Sequence, residues 1–265
     1  MISAAMIEKY LAQFAPLRLK MDFDTVGLII GEGDSEVKRV MVALDITPAV
    51  VDEAVALGAQ CIVAHHPVIF KAIKKMTNND PYGKMMIKMI KNGISAVCMH
   101  TNLDLAPLGV NELLAKKLGL TNIVPFAEKV EDSELGLIGL GRVGELAAGM
   151  EPEAFAAFVK DALSSNGLRY VSGGKTVTKV AVGGGHCGDL MMEAVAQGCE
   201  AFVTSDLSYN DFLDAKEYGI TLIDAGHYPT ENVVVPQLES WLKEKWPELE
   251  ISISKDHREV IEYAK

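Results

Sequence analysis

The length and composition of the chain are those of an ordinary globular protein. It has 265 residues, of which 49% are hydrophobic and 23% are charged, and these values exclude the collagen-like, low-complexity and disordered classes. Lysine and arginine number 25 against 36 aspartates and glutamates, which gives a formal net charge of −11 at pH 7. Because this charge repels phosphate backbones and anionic lipid headgroups, we expect neither nucleic acid nor a membrane surface as a partner.

The four cysteines are spaced as free thiols and not as a disulfide framework. Cys61 and Cys98 lie in apolar, strand-like runs, and the sequence contains no C-x-x-C pair. We therefore expect a reducing, cytoplasmic location. Glu8 and Lys9 interrupt the first apolar stretch, and no long apolar run is free of charges, so the sequence predicts neither a secretory signal nor a membrane span.

The first recognisable pattern is a β-α-β unit at residues 38–64. An apolar, β-rich run is followed by a helical segment with Thr47 as N-cap and Pro48 in its first turn, and a second apolar run ends at Ala64. Further along, KMMIKMIK at 84–91 has helical spacing with lysines opposite the methionines. This spacing predicts a helix that packs methionine into the core, in preference to a cofactor or copper site.

The same pattern returns at residues 179–204, which predicts an internal duplication. Eight residues recur 140 positions later, so that Val40, Val42, Glu53, Ala54, Val55, Ala56, Gly58 and Val63 match Val180, Val182, Glu193, Ala194, Val195, Ala196, Gly198 and Val203. A second match, at an offset of 126, aligns KNGISAVCMH at 91–100 with KEYGITLIDAGH at 216–227. We predict an α/β fold of two similar α/β halves, residues 1–127 and 128–265, built as layers of sheet and helix. Two unrelated β-α-β units of generic pattern are the alternative.

Two glycine-rich segments resemble phosphate-binding loops. GLIGLGRVGEL at 136–146 is expected to form a β-rich connector, and its G-x-G-x-x-G spacing lacks the following helix that a dinucleotide-binding loop requires. Gly183–Gly185 follow a predicted strand that ends at Val182 and precede a helix that begins near Asp189. A tight turn is favoured there over a backbone cradle for an anion.

Four of the six histidines directly follow predicted strands. They are His65 and His66 after QCIVA, His100 after SAVCM, and His227 after TLIDAG. Asp104 lies four residues after His100, and Glu231 lies four residues after His227. Because ligands of open α/β sheets bind outside the carboxyl ends of the strands, these positions are candidates for a functional site.

Neutral imidazoles together with carboxylates are the ligands that suit zinc, iron, cobalt or manganese. Four histidines and two carboxylates exceed one tetrahedral site, so we hypothesise two metal ions about 3.5–4 Å apart, spanned by a carboxylate such as Glu231. His65 and His66 can both serve only if the strand ends there, and Pro67 does end regular strand pairing. A purely structural role for polar residues at strand ends is the alternative.

Five segments together resemble one known family. They are FDTVGLIIG at 23–31, AHHPVIF at 64–70, HTNLD at 100–104, GLGRVGEL at 139–146 and DAGHYPTE at 224–231. In this order they resemble the signature segments of the dinuclear-metal-centre family called GTP cyclohydrolase I type 2-like, which is homologous to the NGG1-interacting-factor proteins. The resemblance implies an α/β fold, a homohexameric ring and two divalent ions per chain, such as zinc, iron or manganese. The metal ligands that it implies are His65, His66, Asp104, His227 and Glu231, with His100 as a neighbouring ligand or proton-transfer residue.

The chain departs from the family pattern at two places. Phe23-Asp24-Thr25 stands where relatives commonly have Trp-Asp-Asn, which keeps the acid. Asn210 stands where relatives often have a histidine after tyrosine, and an amide cannot move a proton as an imidazole can.

These residues favour metal-assisted hydrolysis of a nucleotide or another small phosphate ester. The metals would lower the pKa of a bound water, and His100 or Asp206 would move the proton. Asp206 is included because it occupies the position in the second half that His66 occupies in the first. Ring opening of GTP is implied by the resemblance alone. The alternative is a non-enzymatic metal-binding or metal-delivery protein or a ring-shaped interaction scaffold, which Asn210 favours.

Overall fold

The structure, a computed structural model, describes residues 1–264 and forms two compact units. Unit 1 contains Met1–Leu103 and Val234–Arg258, and unit 2 contains Asp104–Val233 and the segment that begins at Glu259. The strands are β1 Gly27–Ile30, β2 Arg39–Ala43, β3 Cys61–Ala64, β4 Ser95–Cys98, β5 Thr121–Asp132, β6 Gly136–Met150, β7 Arg169–Val171, β8 Val177–His186, β9 Ala201–Ser205, β10 Thr221–Asp224 and β11 Glu250–Ile253.

The helices are short. They are α1 Ala4–Leu11, α2 Pro48–Leu57, α3 Pro81–Lys91, α4 Thr101–Leu105, α5 Val110–Lys117, α6 Pro152–Ala162, α7 Met191–Ala196, α8 Tyr209–Tyr218, α9 His227–Glu231 and α10 Val235–Lys245. The longest of them, α3, α6 and α10, have 11 residues each, and no helix among residues 1–264 is long and apolar enough to cross a membrane.

Unit 1 is built on a five-stranded sheet in the order β1-β4-β3-β2-β11. Strands β2, β3, β4 and β11 are parallel, and β1 lies antiparallel to β4. The predicted β-α-β unit is confirmed: the Thr47 side chain accepts a hydrogen bond from the Val50 N–H, Pro48 lies in the first turn of α2, and the helix ends at Gly58 with a φ of 68°. Methionines of α3 also pack as predicted, since Met85, Met86 and Met89 are buried in the core.

Unit 2 is built on a six-stranded sheet in the order β5-β6-β8-β9-β10-β7. Its centre is the parallel set β8-β9-β10, with β7 antiparallel at one end and the long β5-β6 hairpin at the other. The segment at 136–146 lies in β6 as predicted, so its glycine spacing belongs to a strand and not to a dinucleotide-binding loop.

The two sheets repeat one arrangement, which confirms the α/β class with similar halves. Each has three parallel strands in chain order, β2-β3-β4 and β8-β9-β10, with an antiparallel strand beside the third. Equivalent residues also make equivalent bonds. The backbone N–H groups of Gln60 and Glu200 donate to the carbonyl oxygens of Arg39 and Lys179, and their side chains accept from the N–H groups of the same two residues.

Two features differ from what the sequence predicts. The units divide at 103/104 and 233/234, whereas the repeat places one division at 127/128. The C-terminal segment belongs to unit 1 because β11 pairs in parallel with β2, with Ile251 opposite Val40. The run Gly183–Gly185 forms neither a turn nor an anion cradle, because β8 continues through a register shift to His186.

Candidate metal centre

Unit 1 brings three of the predicted histidines together at the carboxyl ends of β3 and β4. His65 and His66 directly follow β3, and His100 is the second residue after β4. The ring centroids are 4.9 Å apart for His65 and His66, 5.2 Å for His65 and His100, and 5.6 Å for His66 and His100. One ring nitrogen from each can lie within 4.8 Å of the other two, so the three form a group that could hold a metal ion.

Each of these rings has its Nδ1 in a hydrogen bond. His65 Nδ1 lies 2.7 Å from the carbonyl oxygen of Met99. A carbonyl oxygen only accepts, so the proton of neutral His65 is on Nδ1 and its lone pair is on Nε2. His66 Nδ1 makes the same kind of contact with Asp45 Oδ1 at 2.7 Å. This carboxylate-histidine arrangement fixes the orientation of the His66 ring and makes Nε2 the nitrogen that could bind a metal.

His100 is held in the same manner by a buried carboxylate. Its Nδ1 lies 2.8 Å from Asp24 Oδ1, and Asp24 also accepts from the Thr101 N–H at 3.1 Å and from the Thr101 hydroxyl at 2.5 Å. Burial would raise the pKa of Asp24, but these hydrogen bonds with Thr101 and His100 outweigh it and lower the pKa. In the sequence, Asp24 is only the acid of the segment FDTVGLIIG and has no predicted role. In the structure it is the residue that orients His100.

His100 is neutral at physiological pH. Burial, together with the neighbouring His65, lowers the pKa of His100 to about 4, in spite of the opposing hydrogen bond with Asp24. Metal ions bind the neutral form of imidazole. Three clustered imidazoles, each with Nδ1 committed, are therefore a donor set that fits a divalent transition metal.

Unit 2 contains a second cluster, formed by Asp206, His227 and Glu231. His227 and Glu231 are the first and last residues of α9, and the four-residue spacing places them on one face. His227 donates from Nδ1 to Asp206 Oδ2 at 2.5 Å and from Nε2 to Glu231 Oε2 at 3.0 Å. Asp206 follows β9 with a φ of 56°, a left-handed conformation that aims its carboxylate at His227.

The second cluster attracts positive charge. Burial opposes protonation of His227, but its hydrogen bonds with Asp206 and Glu231 outweigh burial and raise the pKa of His227 to about 11. The same bond with His227 lowers the pKa of Asp206. An imidazolium lies here beside two carboxylates, and a divalent cation that displaces the His227 proton meets the same two anionic groups.

Strand β8, which contains Gly183–Gly185, helps to position both Asp104 and Glu231. The buried Asp104 lies in α4, and the Asn111 side chain donates to its backbone carbonyl at 3.0 Å while accepting from the Gly184 N–H at 2.8 Å. A Cβ atom on Gly184 would lie 3.3 Å from Glu231 Cγ, so the buried Glu231 packs directly against this strand. Burial and the charges of Asp104 and Glu231 raise the pKa of the nearby Cys187 thiol, which keeps it protonated at physiological pH.

A known protein family matches almost the whole chain. The family model of Duf34/NIF3 (NGG1p interacting factor 3) matches residues 2–259. The chain belongs to this family. It is 37% identical over 219 residues to a "GTP cyclohydrolase 1 type 2 homolog" of Clostridium acetobutylicum, which covers 82% of this chain and 81% of that protein.

Other relatives of this Duf34/NIF3 chain match it over nearly their whole length. A Clostridium perfringens protein of the same description is 32% identical over 251 residues, or 94% of this chain and 95% of the relative. The crystal structure of a Bacillus cereus protein related to NIF3 has a TM-score of 0.92 at 27% identity and covers 100% of this chain and 99% of its own. The family fold therefore extends over both units.

Two histidines of this Duf34/NIF3 chain were not singled out by the sequence. His186 ends β8 and lies with Nδ1 3.2 Å from the Asp206 carbonyl oxygen, a position hidden by the predicted strand end at Val182. His257 accepts a hydrogen bond from the Leu44 N–H at its Nδ1, at 3.2 Å, and burial lowers its pKa. No local pattern around His257 indicates that contact, because it joins residues more than 200 positions apart.

Gly185 gives a direct test of the second cluster. A Cβ atom there would overlap Glu231 Oε1 and lie 3.3 Å from His227 Cε1. We expect Gly185→Ala to displace the Glu231 carboxylate and lower metal affinity by about 10- to 100-fold, measured by titration with Zn²⁺. Gly198→Ala is the matched control, because Gly198 also has a positive φ but no atom within 4 Å of its Cβ position. Equal metal affinity in both variants would contradict this placement of Glu231.

Proposed function

We propose that the protein binds two divalent transition-metal ions and hydrolyses a nucleotide or another small phosphate ester. The proposed ligands are His65, His66, Asp104, His227 and Glu231. The observation that carries the proposal is the set of clustered imidazoles whose Nδ1 atoms are already committed: His65 and His66 offer Nε2 as a ligand atom, and the Nε2 of His100 beside them is left to accept a proton. Such a set suits zinc, iron or manganese.

The bound ions supply Lewis acidity that activates water near neutral pH and stabilises charge on a phosphoryl group. His100 accepts the proton from the attacking water at Nε2, because its Nδ1 proton is held by Asp24. Asp24 then stabilises the resulting imidazolium, since its carboxylate is buried against the ring. Asp206 keeps its carboxylate ionised through the bond with His227 and is the second proposed proton carrier.

The substrate class follows from the chemistry of the proposed ions and from the relatives. Divalent cations bind phosphoryl oxygens and offset the acidic charge of the chain locally. The clostridial relatives carry the description "GTP cyclohydrolase 1 type 2 homolog", which adds nucleotides to the candidate substrates of this chain.

We further propose a cytoplasmic homohexamer. The cysteines among the described residues are free and buried, as expected in a reducing compartment. Six chains of 28.6 kDa give a particle of about 172 kDa, which light scattering after size exclusion measures directly.

Turnover across a panel of substrates tests the hydrolase. We expect protein loaded with Zn²⁺, Mn²⁺ or Fe²⁺ to release phosphate or open a ring in at least one of a set of nucleotides and sugar phosphates, and the metal-free protein to be inactive. His100→Gln should lower kcat by about 10²- to 10⁴-fold, because glutamine cannot accept the proton. Activity that survives complete metal removal would contradict the proposal.

A second candidate is a metal-binding or metal-delivery protein without catalysis. Asn210 favours it, because this exposed residue in the first turn of α8 has an amide where the family segment often has a histidine. This candidate is favoured if the protein takes up and exchanges metal but turns over no member of the panel.

A further inference from the structure

Two exposed aromatic side chains lie in contact with each other beside the histidine cluster of unit 1. Phe23 is 63% exposed and Phe70 is 47% exposed. Their ring centroids are 6.1 Å apart at an interplanar angle of 70°, and the Phe70 ring lies 6.0 Å from the His100 ring at 86°. We call Phe23 and Phe70 the aromatic pair.

The aromatic pair exposes apolar surface to solvent next to His100. Single exposed apolar residues are common on protein surfaces and need no explanation. Two phenyl rings in edge-to-face contact, one of them also against His100, form a continuous apolar surface next to reactive groups. Apolar surface next to a few polar groups is typical of small-molecule sites.

Both members of the aromatic pair lie close in sequence to residues of the histidine cluster. Phe23 precedes Asp24, which is 5% exposed and is held by Thr101 and His100. Phe70 lies four residues after His66 in the segment that leaves β3. Phe23 is therefore positioned by the hydrogen bonds of the adjacent Asp24, and the Phe70 ring lies against the His100 ring.

The segment that follows Phe70 is basic in a chain that is acidic overall. Exposed lysines at 71, 74 and 75 follow Phe70 directly, whereas the whole chain has a net charge of −11. This local charge complements an anionic ligand that also offers an apolar face.

We infer that the aromatic pair binds the planar aromatic ring of the substrate, so that the preferred substrates are nucleobase-bearing phosphates. This inference rests on the proposed function and specifies the substrate of that site. Base stacking on aromatic side chains contributes about 5- to 150-fold in affinity for each base and tolerates different bases, because every base has a π-face. The aromatic pair thus selects for a ring and not for guanine in particular.

The test compares two ligands that differ in the base. Zn²⁺-loaded full-length protein is titrated calorimetrically with guanosine 5′-monophosphate and with ribose 5-phosphate, and phosphate release is followed in parallel. We expect at least fivefold tighter binding of the nucleotide. Phe23→Leu and Phe70→Leu should each remove most of this preference and leave the affinity for ribose 5-phosphate unchanged, because leucine keeps the apolar area but has no π-face. Phe70→Trp should keep or increase the preference.

A matched control and two further readouts separate the possible outcomes. Tyr82→Leu removes an aromatic ring that is 65% exposed on α3, and we expect the preference to persist. Equal affinity for both ligands, no binding of either, or equal weakening of both in Phe70→Leu would overturn the inference. A change of particle mass in the leucine variants would assign the rings to a subunit contact and also overturn it. A base preference without phosphate release from either ligand would support the inference while counting against hydrolysis of these esters.

Discussion

Replacing Glu231 by alanine is expected to remove the metal ions of the protein. Elemental analysis of the purified wild type should give about two transition-metal ions per chain, and Glu231→Ala should fall close to none. Glu231 is only 4% exposed, and its carboxylate faces the His227 imidazole, so its loss leaves the half-buried His227 without an anionic partner on α9. Turnover should disappear together with the metal.

The double variant His65→Ala/His66→Ala tests the ligands of unit 1 in the same way. It removes two imidazoles whose Nδ1 atoms are fixed by Met99 and Asp45, and we expect the same loss of metal. Glu239→Ala is the matched control for Glu231, because Glu239 also forms an ion pair at a four-residue spacing in a helix, with Lys243 in α10. It should retain the full metal content.

Thermal unfolding gives an independent measurement. A ligand that binds only the folded state at 100 times its Kd stabilises the protein by about 2.7 kcal/mol, so Zn²⁺ should raise the Tm of the wild type and of Glu239→Ala but not of Glu231→Ala. No metal uptake by the wild type, even after reconstitution with Zn²⁺, Mn²⁺ or Fe²⁺, would mean that the histidines have a structural role.

The sequence predicted the parts of the fold that local pattern determines. Thr47 and Pro48 start α2 with side-chain and backbone geometry that depends on their immediate neighbours alone. The apolar run before His65 ends at Ala64, and Pro67 stops regular strand pairing three residues later, so the position of the histidines at the end of β3 was also local information. The internal repeat then extended the same prediction to unit 2.

Features that depend on distant residues could not be predicted. Strand β11 belongs to unit 1 because Ile251 pairs with Val40, and nothing near Ile251 indicates that partner. The glycines at 183–185 look like a turn in sequence. They lie in β8, and a side chain at Gly184 or Gly185 would meet Glu231, a contact that exists only after α9 has packed.

The partners of the histidines were hidden for the same reason. Asp24 and Asp45 look like ordinary acidic residues in sequence, since an aspartate on a surface and one that binds a distant imidazole have the same local pattern. The structure separates them: Asp24 is buried against His100, 76 positions away, and Asp45 binds His66, 21 positions away.

Asp24→Asn should separate the orientation of His100 from metal binding by the other ligands. Asp24 accepts four hydrogen bonds: its Oδ1 accepts from His100 Nδ1 and from the Thr25 N–H, and its Oδ2 accepts from the N–H and the hydroxyl of Thr101. An asparagine presents an NH₂ group at one of its two oxygen positions, which favours the His100 tautomer with its proton on Nε2. His100 then cannot accept a proton at Nε2, and we expect kcat to fall by about 10²- to 10⁴-fold. Asp22→Asn, an exposed neighbour, is the matched control and should have wild-type kcat.

The dependence of stability on pH gives a second signature of the same residue. The pKa of Asp24 is lowered in the folded protein, so the ionised carboxylate stabilises the fold at all pH values above its ordinary pKa of 3.8. This contribution is lost as the pH falls through the lower, folded-state pKa. The wild type should therefore be more stable than Asp24→Asn at pH 7, and the difference in Tm should shrink below pH 3.8. If kcat falls but the Tm difference does not depend on pH, the substitution acts through something other than the charge that holds His100. If kcat and metal content both remain at wild-type values, His100 does not need Asp24, and its proposed role in proton transfer is wrong.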